Sequence, residues 1–176
     1  MLSVRPLSES DIPLIIQYWL EADADFLKGM GVDLTKMPLQ EAWELSLQEQ
    51  LSQAIPDKKS YCIIWEIDGQ PVGHCNINKI QFGREAFMHL HLWRSEFRQK
   101  GAGTALVKMS LPFFFDNYQL ETLYCEPYAL NPAPNKTLEK VGFQWVKEYV
   151  TTPGWLNFEQ SVQLWALSRA RYHNLP

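Results

Sequence analysis

The chain has 176 residues, of which 46% are hydrophobic, and this suits one compact domain over residues 1–176 with a full core. Its net charge of −4 argues against nucleic acid or an anionic membrane surface as the main partner. The sequence shows neither a signal peptide nor an apolar run long enough to cross a bilayer, so we expect a cytoplasmic protein.

The N-terminal third predicts a strand followed by two helices. Residues 2–6 form the strand, and Ser10 caps a first helix. A loop rich in glycine and aspartate follows over residues 25–33. A second helix covers residues 38–55, with Trp43, Leu47 and Leu51 on one side.

The rest of the chain alternates between strands and helices. The element order β-α-α-β-β-β-α-β-α-β-β predicts an α/β fold with a mixed central sheet. The predicted strands are residues 61–67, 72–80, 87–93, 122–126, 143–150 and 158–167, and the predicted helices are residues 101–117 and 132–140.

The cysteines Cys62, Cys75 and Cys125 lie in separate β-rich runs. They lack the spacing of metal ligands, so we expect buried thiols in a reducing compartment. No carboxylate–histidine spacing in the chain demands a metal, and we expect none.

Residues 96–107 combine a strand end, a loop with two glycines and the start of a helix. Gly101 and Gly103 lack a Cβ, so the backbone there can approach a ligand closely. The first N–H groups of the helix are unpaired, and phosphate is a natural ligand for them. The loop lacks the complete P-loop and dinucleotide patterns, and no basic stripe accompanies it, which argues against a nucleotidase or a nucleic-acid binder.

Two segments of the chain resemble the GNAT superfamily of N-acetyltransferases. Arg98-x-x-Gly101-x-Gly103 looks like the family's pyrophosphate loop, and Asn131 followed by Glu139-Lys140-x-Gly142-Phe143 is similar to its helix-to-strand signature. The resemblance covers the chain from about residue 60 onward. It implies the GNAT fold, in which two parallel strands splay apart to hold the co-substrate acetyl-coenzyme A.

The same resemblance implies a set of cofactor-binding residues. Those expected on the first splayed strand are Leu92, Trp93 and Arg94; those on the pyrophosphate loop are Arg98, Gln99, Lys100, Gly101, Ala102, Gly103 and Thr104; and those on the later helix are Asn131, Asn135 and Lys136. Asn131 also reads as the cap of the helix that begins at Pro132, and both roles can hold together. Asn135 and Lys136 are expected to face outward, toward the phosphoadenosine.

Many family members use a tyrosine to protonate the departing thiolate, but this chain has Leu138 at that position. Among candidate catalytic residues Glu126 comes first, because 6′-aminoglycoside N-acetyltransferases carry an acidic-Pro pair at this place. An ordinary strand-end carboxylate is the alternative.

His89 and His91 share one face of the strand over residues 87–93, where an imidazole of near-neutral pKa suits proton transfer. They are the other two catalytic candidates. His74, with Asn76 and Asn78, extends this polar row on the preceding strand. Buried, hydrogen-bonded structural histidines are the alternative.

Asp25, Asp33, Trp43, His74 and Tyr128 are the candidates for binding the acceptor substrate. The first segment of the chain usually forms the acceptor wall in this family, and an acidic, aromatic wall would suit a polyamine-like or sugar amine. A solvated loop and plain packing are the alternatives.

We therefore expect an acetyl-coenzyme A-dependent N-acetyltransferase that acts on a primary amine or hydroxylamine of a small molecule, by direct transfer in a ternary complex. The alternatives are a protein N-terminal acetyltransferase and a non-catalytic acyl-coenzyme A sensor. We expect no nucleic-acid partner and no membrane, and a monomer or a homodimer.

Overall fold

The computed structural model describes residues 1–93, 95–97 and 101–175. Within them a seven-stranded mixed sheet runs in the order β1-β2-β3-β4-β5-β7-β6. The strands are β1 (Leu2–Pro6), β2 (Tyr61–Ile67), β3 (Gln70–Gln81), β4 (Glu85–Leu92), β5 (Thr122–Cys125), β6 (Gln144–Thr151) and β7 (Gln160–Ser168). Strands β4 and β5 pair in parallel and the other neighbours pair antiparallel, so the predicted mixed sheet is confirmed.

Helices connect the strands and cover both faces of the sheet. They are α1 (Ile12–Glu21), α2 (Ala24–Gly29), α3 (Gln40–Ser52), α4 (Ala102–Tyr118), α5 (Pro132–Val141) and α6 (Arg169–Tyr172). Among the described residues no helix is long and apolar enough to span a bilayer.

Two short helices were missed by sequence reasoning. The segment predicted as a loop contains α2, because the Asp23 carboxylate accepts hydrogen bonds from the N–H groups of Asp25 and Phe26 and so caps a helix. The C-terminal α6 begins in the same way, where the Ser168 side chain accepts a hydrogen bond from the Arg171 N–H. The first helix also begins later than predicted, at Ile12, after a short 3₁₀ turn over Glu9–Asp11.

Strand β2 is buried on both faces over its first five residues. Ile63 and Trp65 pack in the cluster that includes α4 and α5, whereas Cys62 and Ile64 pack in the cluster that includes α1 and α3. The sheet is therefore a layer between two sets of helices. The three cysteines are buried and free, as predicted, and burial raises the pKa of each thiol above its usual value.

Candidate active site

The parallel strands β4 and β5 pair over a short distance only. Their ladder joins Glu85–Phe87 to Thr122–Tyr124, after which β4 continues to Leu92 while β5 ends at Cys125. The two strands therefore stop pairing halfway along β4. The resemblance implied such a split between these two strands.

A cleft of about 410 Å³ opens at this split. Its volume is in the range of small-molecule sites. The polar side chains that line it come mainly from β3, β4 and the segment after β5, and the aromatic ones come from α1, α3 and the loop between β6 and β7. The lining includes Trp19, Trp43, His74, Asn76, Asn78, His89, His91, Glu126, Tyr128, Asn131, Trp155 and Gln160.

The polar row expected across β3 and β4 is present. Antiparallel pairing places His74 opposite His91 and Asn76 opposite His89, all on the cleft face. The rings of His74 and His91 stack with their centroids 4.6 Å apart. The alternation of polar and apolar residues along both strands thus brings three histidines into one site.

Hydrogen bonds determine which ring nitrogens of two histidines carry a proton. The indole N–H of Trp93 donates to Nδ1 of His74 over 2.7 Å, so His74 carries its own proton on Nε2. Nε2 of His89 lies 3.1 Å from Oδ1 of Asn78. When the ring donates to this oxygen, Nδ1 of His89 keeps a lone pair.

All three histidines are held in the neutral form. Burial lowers the pKa of His74 to about 3 and the pKa of His89 to about 4. Burial, together with the neighbouring His74 and His89, also moves the pKa of His91 well below its usual value. At neutral pH the three rings therefore act as uncharged hydrogen-bonding groups.

Glu126 follows β5 and lines the cleft, with only 3% of its side chain exposed. Its Oε1 accepts a hydrogen bond from the Lys79 ammonium over 3.0 Å. Its Oε2 accepts a hydrogen bond from the Tyr149 hydroxyl, and this contact with the carboxylate contributes, after burial, to raising the pKa of Tyr149. Sequence reasoning missed both partners.

An aromatic wall faces the polar row. Trp19 of α1 stacks on Trp43 of α3 with centroids 5.7 Å apart, and Trp43 in turn contacts Trp155 at 5.6 Å. Trp43, predicted to bind the acceptor, is thus part of the cleft, and its buried Nε1 has no hydrogen-bond partner among the described residues. Tyr128 also lines the cleft and packs edge-on against Phe158.

The glycine loop leads into α4. Gly101 is its N-cap with a φ of +76°, a left-handed conformation that favours glycine. A Cβ built at Gly101 or Gly103 would meet no atom of the described residues within 4 Å. Open space thus lies beside the first turn of α4, which includes Ala102 and Thr104, and this fits a ligand phosphate at the helix N-terminus.

The other residues predicted to bind the cofactor differ in their exposure and in whether they line the cleft. Asn131 lines the cleft and caps α5, since its Oδ1 accepts a hydrogen bond from the Ala133 N–H. Lys136 is exposed, as expected. Leu92 packs partly buried against the main core, and Trp93 is half-buried beside His74.

The outward orientation expected for Asn135 is wrong. Its side chain is buried, where it donates to the carbonyl oxygens of Tyr128 and Asn131 and accepts from the Trp165 indole over 2.8 Å. Asn135 lies three residues before the buried Leu138, on the same face of α5, and this spacing was the signal for its burial.

The acidic residues predicted for the acceptor wall do not line the described cleft. The Asp25 side chain is 95% exposed and pairs with Lys28, while Asp33 caps the turn that holds Thr35. Arg94, Arg98, Gln99 and Lys100, predicted to bind the cofactor, lie outside the described residues. Within the described part of the chain no group of three or more His, Cys, Asp or Glu side chains could hold a metal ion.

Several solved acetyltransferases have similar structures. A spermidine N-acetyltransferase from Vibrio cholerae, in complex with coenzyme A and spermine, has a TM-score of 0.79 and 18% identity over 98% of this chain and 98% of its own. RimL, a ribosomal alpha-N-protein acetyltransferase in complex with coenzyme A, has a TM-score of 0.78 and 15% identity over 97% of this chain and 95% of its own.

A third structure is the aminoglycoside acetyltransferase AAC(6')-Ib, in complex with coenzyme A and kanamycin. Its TM-score is 0.75 with 14% identity, over 99% of this chain and 98% of its own. At these identities the likeness shows the fold, which is the GNAT fold. No curated protein matches the chain by sequence.

The acetyltransferase (GNAT) domain model matches residues 2–144, which is most of the chain. That match agrees with the split strands, the open helix N-terminus and the position of Asn131. The chain therefore belongs to the GNAT acetyltransferase family: it is an acyltransferase whose co-substrate is acetyl-coenzyme A.

Proposed function

We propose that this protein transfers the acetyl group of acetyl-coenzyme A directly to a primary amine or hydroxylamine of a small molecule. We infer that it does so as a single-domain cytoplasmic enzyme, active as a monomer or homodimer. The observation that carries the proposal is the cleft at the β4–β5 split, where a buried carboxylate and neutral imidazoles meet an aromatic wall. The complexes of similar proteins with spermine and kanamycin support an amine acceptor.

The co-substrate would lie along the split. We assign its pyrophosphate to the open N–H groups at the start of α4, from Ala102 to Thr104, and its pantetheine arm to the part of β4 beyond Phe87 and to the Asn131 side chain. The open space at Gly101 and Gly103 supports this assignment. The reactive end of the co-substrate then reaches the cleft between His89 and Glu126.

An aliphatic amine has a pKa near 10 and must lose a proton before it can attack. Two groups at the split can accept a hydrogen bond from it. The Glu126 carboxylate has about four acceptor sites, and Lys79 and Tyr149 use two of them. The Nδ1 lone pair of His89 is the second acceptor, and we assign His91 to the same polar surface.

The departing sulfur also needs a proton. The family's tyrosine position holds Leu138, which is fully buried in the core and has no proton to give. We therefore infer that another group of the cleft, or solvent, protonates the thiolate.

The Glu126→Gln substitution should lower kcat by about tenfold or more, because the amide keeps the shape of the side chain but removes the negative charge that orients the amine. The affinity for coenzyme A should stay within about twofold, as the carboxylate lies on the acceptor side. Steady-state kinetics and calorimetry measure the two effects. The control is Glu121→Gln, which removes an exposed carboxylate before β5. Equal turnover in Glu126→Gln and the wild type would remove Glu126 from the mechanism.

The proposal is tested by titrating the protein with acetyl-coenzyme A in a calorimeter and then following thiol release with a panel of amines. Binding with amine-dependent release establishes the transferase. Release only with a peptide that bears a free N-terminus would favour a protein acceptor, the second candidate, which the likeness to RimL supports. Binding without release from any amine or peptide would favour a sensor, and absence of binding would overturn the assignment of the cleft.

A further inference from the structure

We propose that Lys79 restricts the acceptor to molecules that carry a single amine on an otherwise uncharged, partly apolar body, and that it does so by pairing with the charge of the cleft carboxylate, whose remaining acceptor sites stay open to one amine. The inference rests on the proposed function and specifies its substrate class. Such a restriction would set this protein apart from enzymes that accept polyamines or aminoglycosides.

The cleft contains little unpaired negative charge. Glu126 is the single carboxylate among the lining residues that the structure describes, and the Lys79 ammonium already lies 3.0 Å from it. The three cleft histidines are neutral. The remaining polar lining consists mostly of amide and hydroxyl groups and includes the positive charge of Lys59, whereas Lys79 reaches Glu126 from outside the described lining. A polycation would therefore enter a cleft that offers it no unpaired negative charge, and charges moved out of water without partners are costly.

The backbone directs Lys79 to this position. In β3 the residues His74, Asn76 and Asn78 face the cleft, so regular alternation would turn Lys79 to the opposite face. The β3–β4 register shifts between Asn78 and Gln81, and Lys79 has a left-handed φ of +48°. This irregularity turns the Lys79 side chain back toward Glu126. Its ammonium nitrogen also lies 4.6 Å from the centroid of the Phe87 ring.

The opposite wall suits an apolar body. Trp19, Trp43 and Trp155 form a continuous aromatic surface, of which Trp155 is 60% exposed at the cleft. A flat or aliphatic group can pack there while its amine points toward Glu126 and His89. Specificity is a difference of affinities, and here one wall attracts the apolar body while Lys79 repels additional charge.

The test compares the kcat/KM of tryptamine, an aromatic monoamine, with that of spermidine, in the wild type and in Lys79→Gln. The wild type should prefer tryptamine by at least about tenfold. In Lys79→Gln the freed Glu126 can bind a second ammonium, so the spermidine value should rise by about tenfold while coenzyme A affinity stays unchanged. If the role of Lys79 were purely structural, its substitution would lower the kcat/KM of both amines together and would leave the ratio of the two values unchanged.

The matched control is Arg84→Gln, which removes a positive charge from the same hairpin but from a side chain paired with Glu85. In Arg84→Gln the ratio of kcat/KM for tryptamine to kcat/KM for spermidine should equal that of the wild type. Lys79→Met provides a second uncharged variant should Lys79→Gln fold poorly, since the Lys79 side chain is 47% exposed. A wild type that prefers spermidine, or a ratio that neither Lys79 variant changes, would overturn the inference and leave the acetyltransferase function standing. Absence of turnover with every amine would overturn the proposed function itself.

Discussion

Gly101 and Gly103 differ in what each position requires of its backbone. Gly101 adopts a left-handed conformation, which a side chain would strain by about 1 kcal/mol. Gly103 has no such constraint, because it lies within the first turn of α4 and space is open beside it. A substitution at Gly103 therefore tests the ligand site without disturbing the fold.

The Gly103→Glu substitution should abolish measurable coenzyme A binding, because it places a side chain and a negative charge where we assign the pyrophosphate. The thermal unfolding temperature should change by only a few degrees. Calorimetric titration and thermal unfolding measure the two quantities. Gly103→Ala, the control, adds a methyl group into open space and should bind within about threefold of the wild type. Unchanged affinity in Gly103→Glu would mean that the pyrophosphate lies elsewhere.

The alternation of polar and apolar residues along β3 and β4 predicted which polar side chains share the cleft. The position of Lys79 could not be predicted in this way, because a register shift and a single left-handed residue reverse its direction. Tyr149 was missed for another reason: it lies on β6 and contacts Glu126 across the sheet, a pairing with no local pattern.

Helix α5 connects the cleft, which Asn131 and Pro134 line, to the sheet. Its buried Asn135 joins the carbonyl groups of Tyr128 and Asn131 to the Trp165 indole on β7. The helix is therefore held in place by hydrogen bonds in addition to its apolar side, which includes Leu138 and Val141.

Asn135→Ala should lower the free energy of unfolding by about 1–3 kcal/mol, because it leaves the buried Trp165 N–H without its acceptor and removes the side-chain donor to two carbonyl groups, although the Tyr128 carbonyl still accepts from the Asn131 N–H. Urea denaturation measures this loss. Glu139→Ala on the exposed side of the same helix should stay within about 0.5 kcal/mol of the wild type. An Asn135→Ala protein as stable as the control would show that water replaces the lost bonds.

The stability of the whole molecule should depend on the three cleft histidines. Their pKa values are lowered in the folded protein, to about 3 for His74 and about 4 for His89, whereas in the unfolded chain they are about 6.5. Below pH 6.5 the unfolded chain therefore binds more protons than the folded protein, and the free energy of unfolding falls as the pH is lowered.

From pH 7 to pH 5 we expect a loss of about 2 kcal/mol each for His74 and His89, and a further loss in the same direction for His91, measured by urea denaturation across the range. His89→Gln should remove its share of this loss. His173→Gln, at an exposed position, should leave the pH profile unchanged. The carboxyl of Asp11 does not contribute here, because its lowered pKa affects stability only at more acidic pH. A flat profile between pH 7 and pH 5 would contradict the neutral form of these imidazoles in the folded protein.

By itself the sequence determined the order of the strands and of the longer helices, the faces of β3 and β4, the cap of α5 and the family, because these depend on patterns and interactions within a few residues of each other. Only the tertiary structure decided that Asn135 is buried, that the acidic residues of the first segment lie outside the described cleft lining, and that Lys79 and Tyr149 engage Glu126. Those contacts join residues far apart in the chain. They follow from how the sheet pairs, bulges and packs, and these are properties that no local pattern encodes.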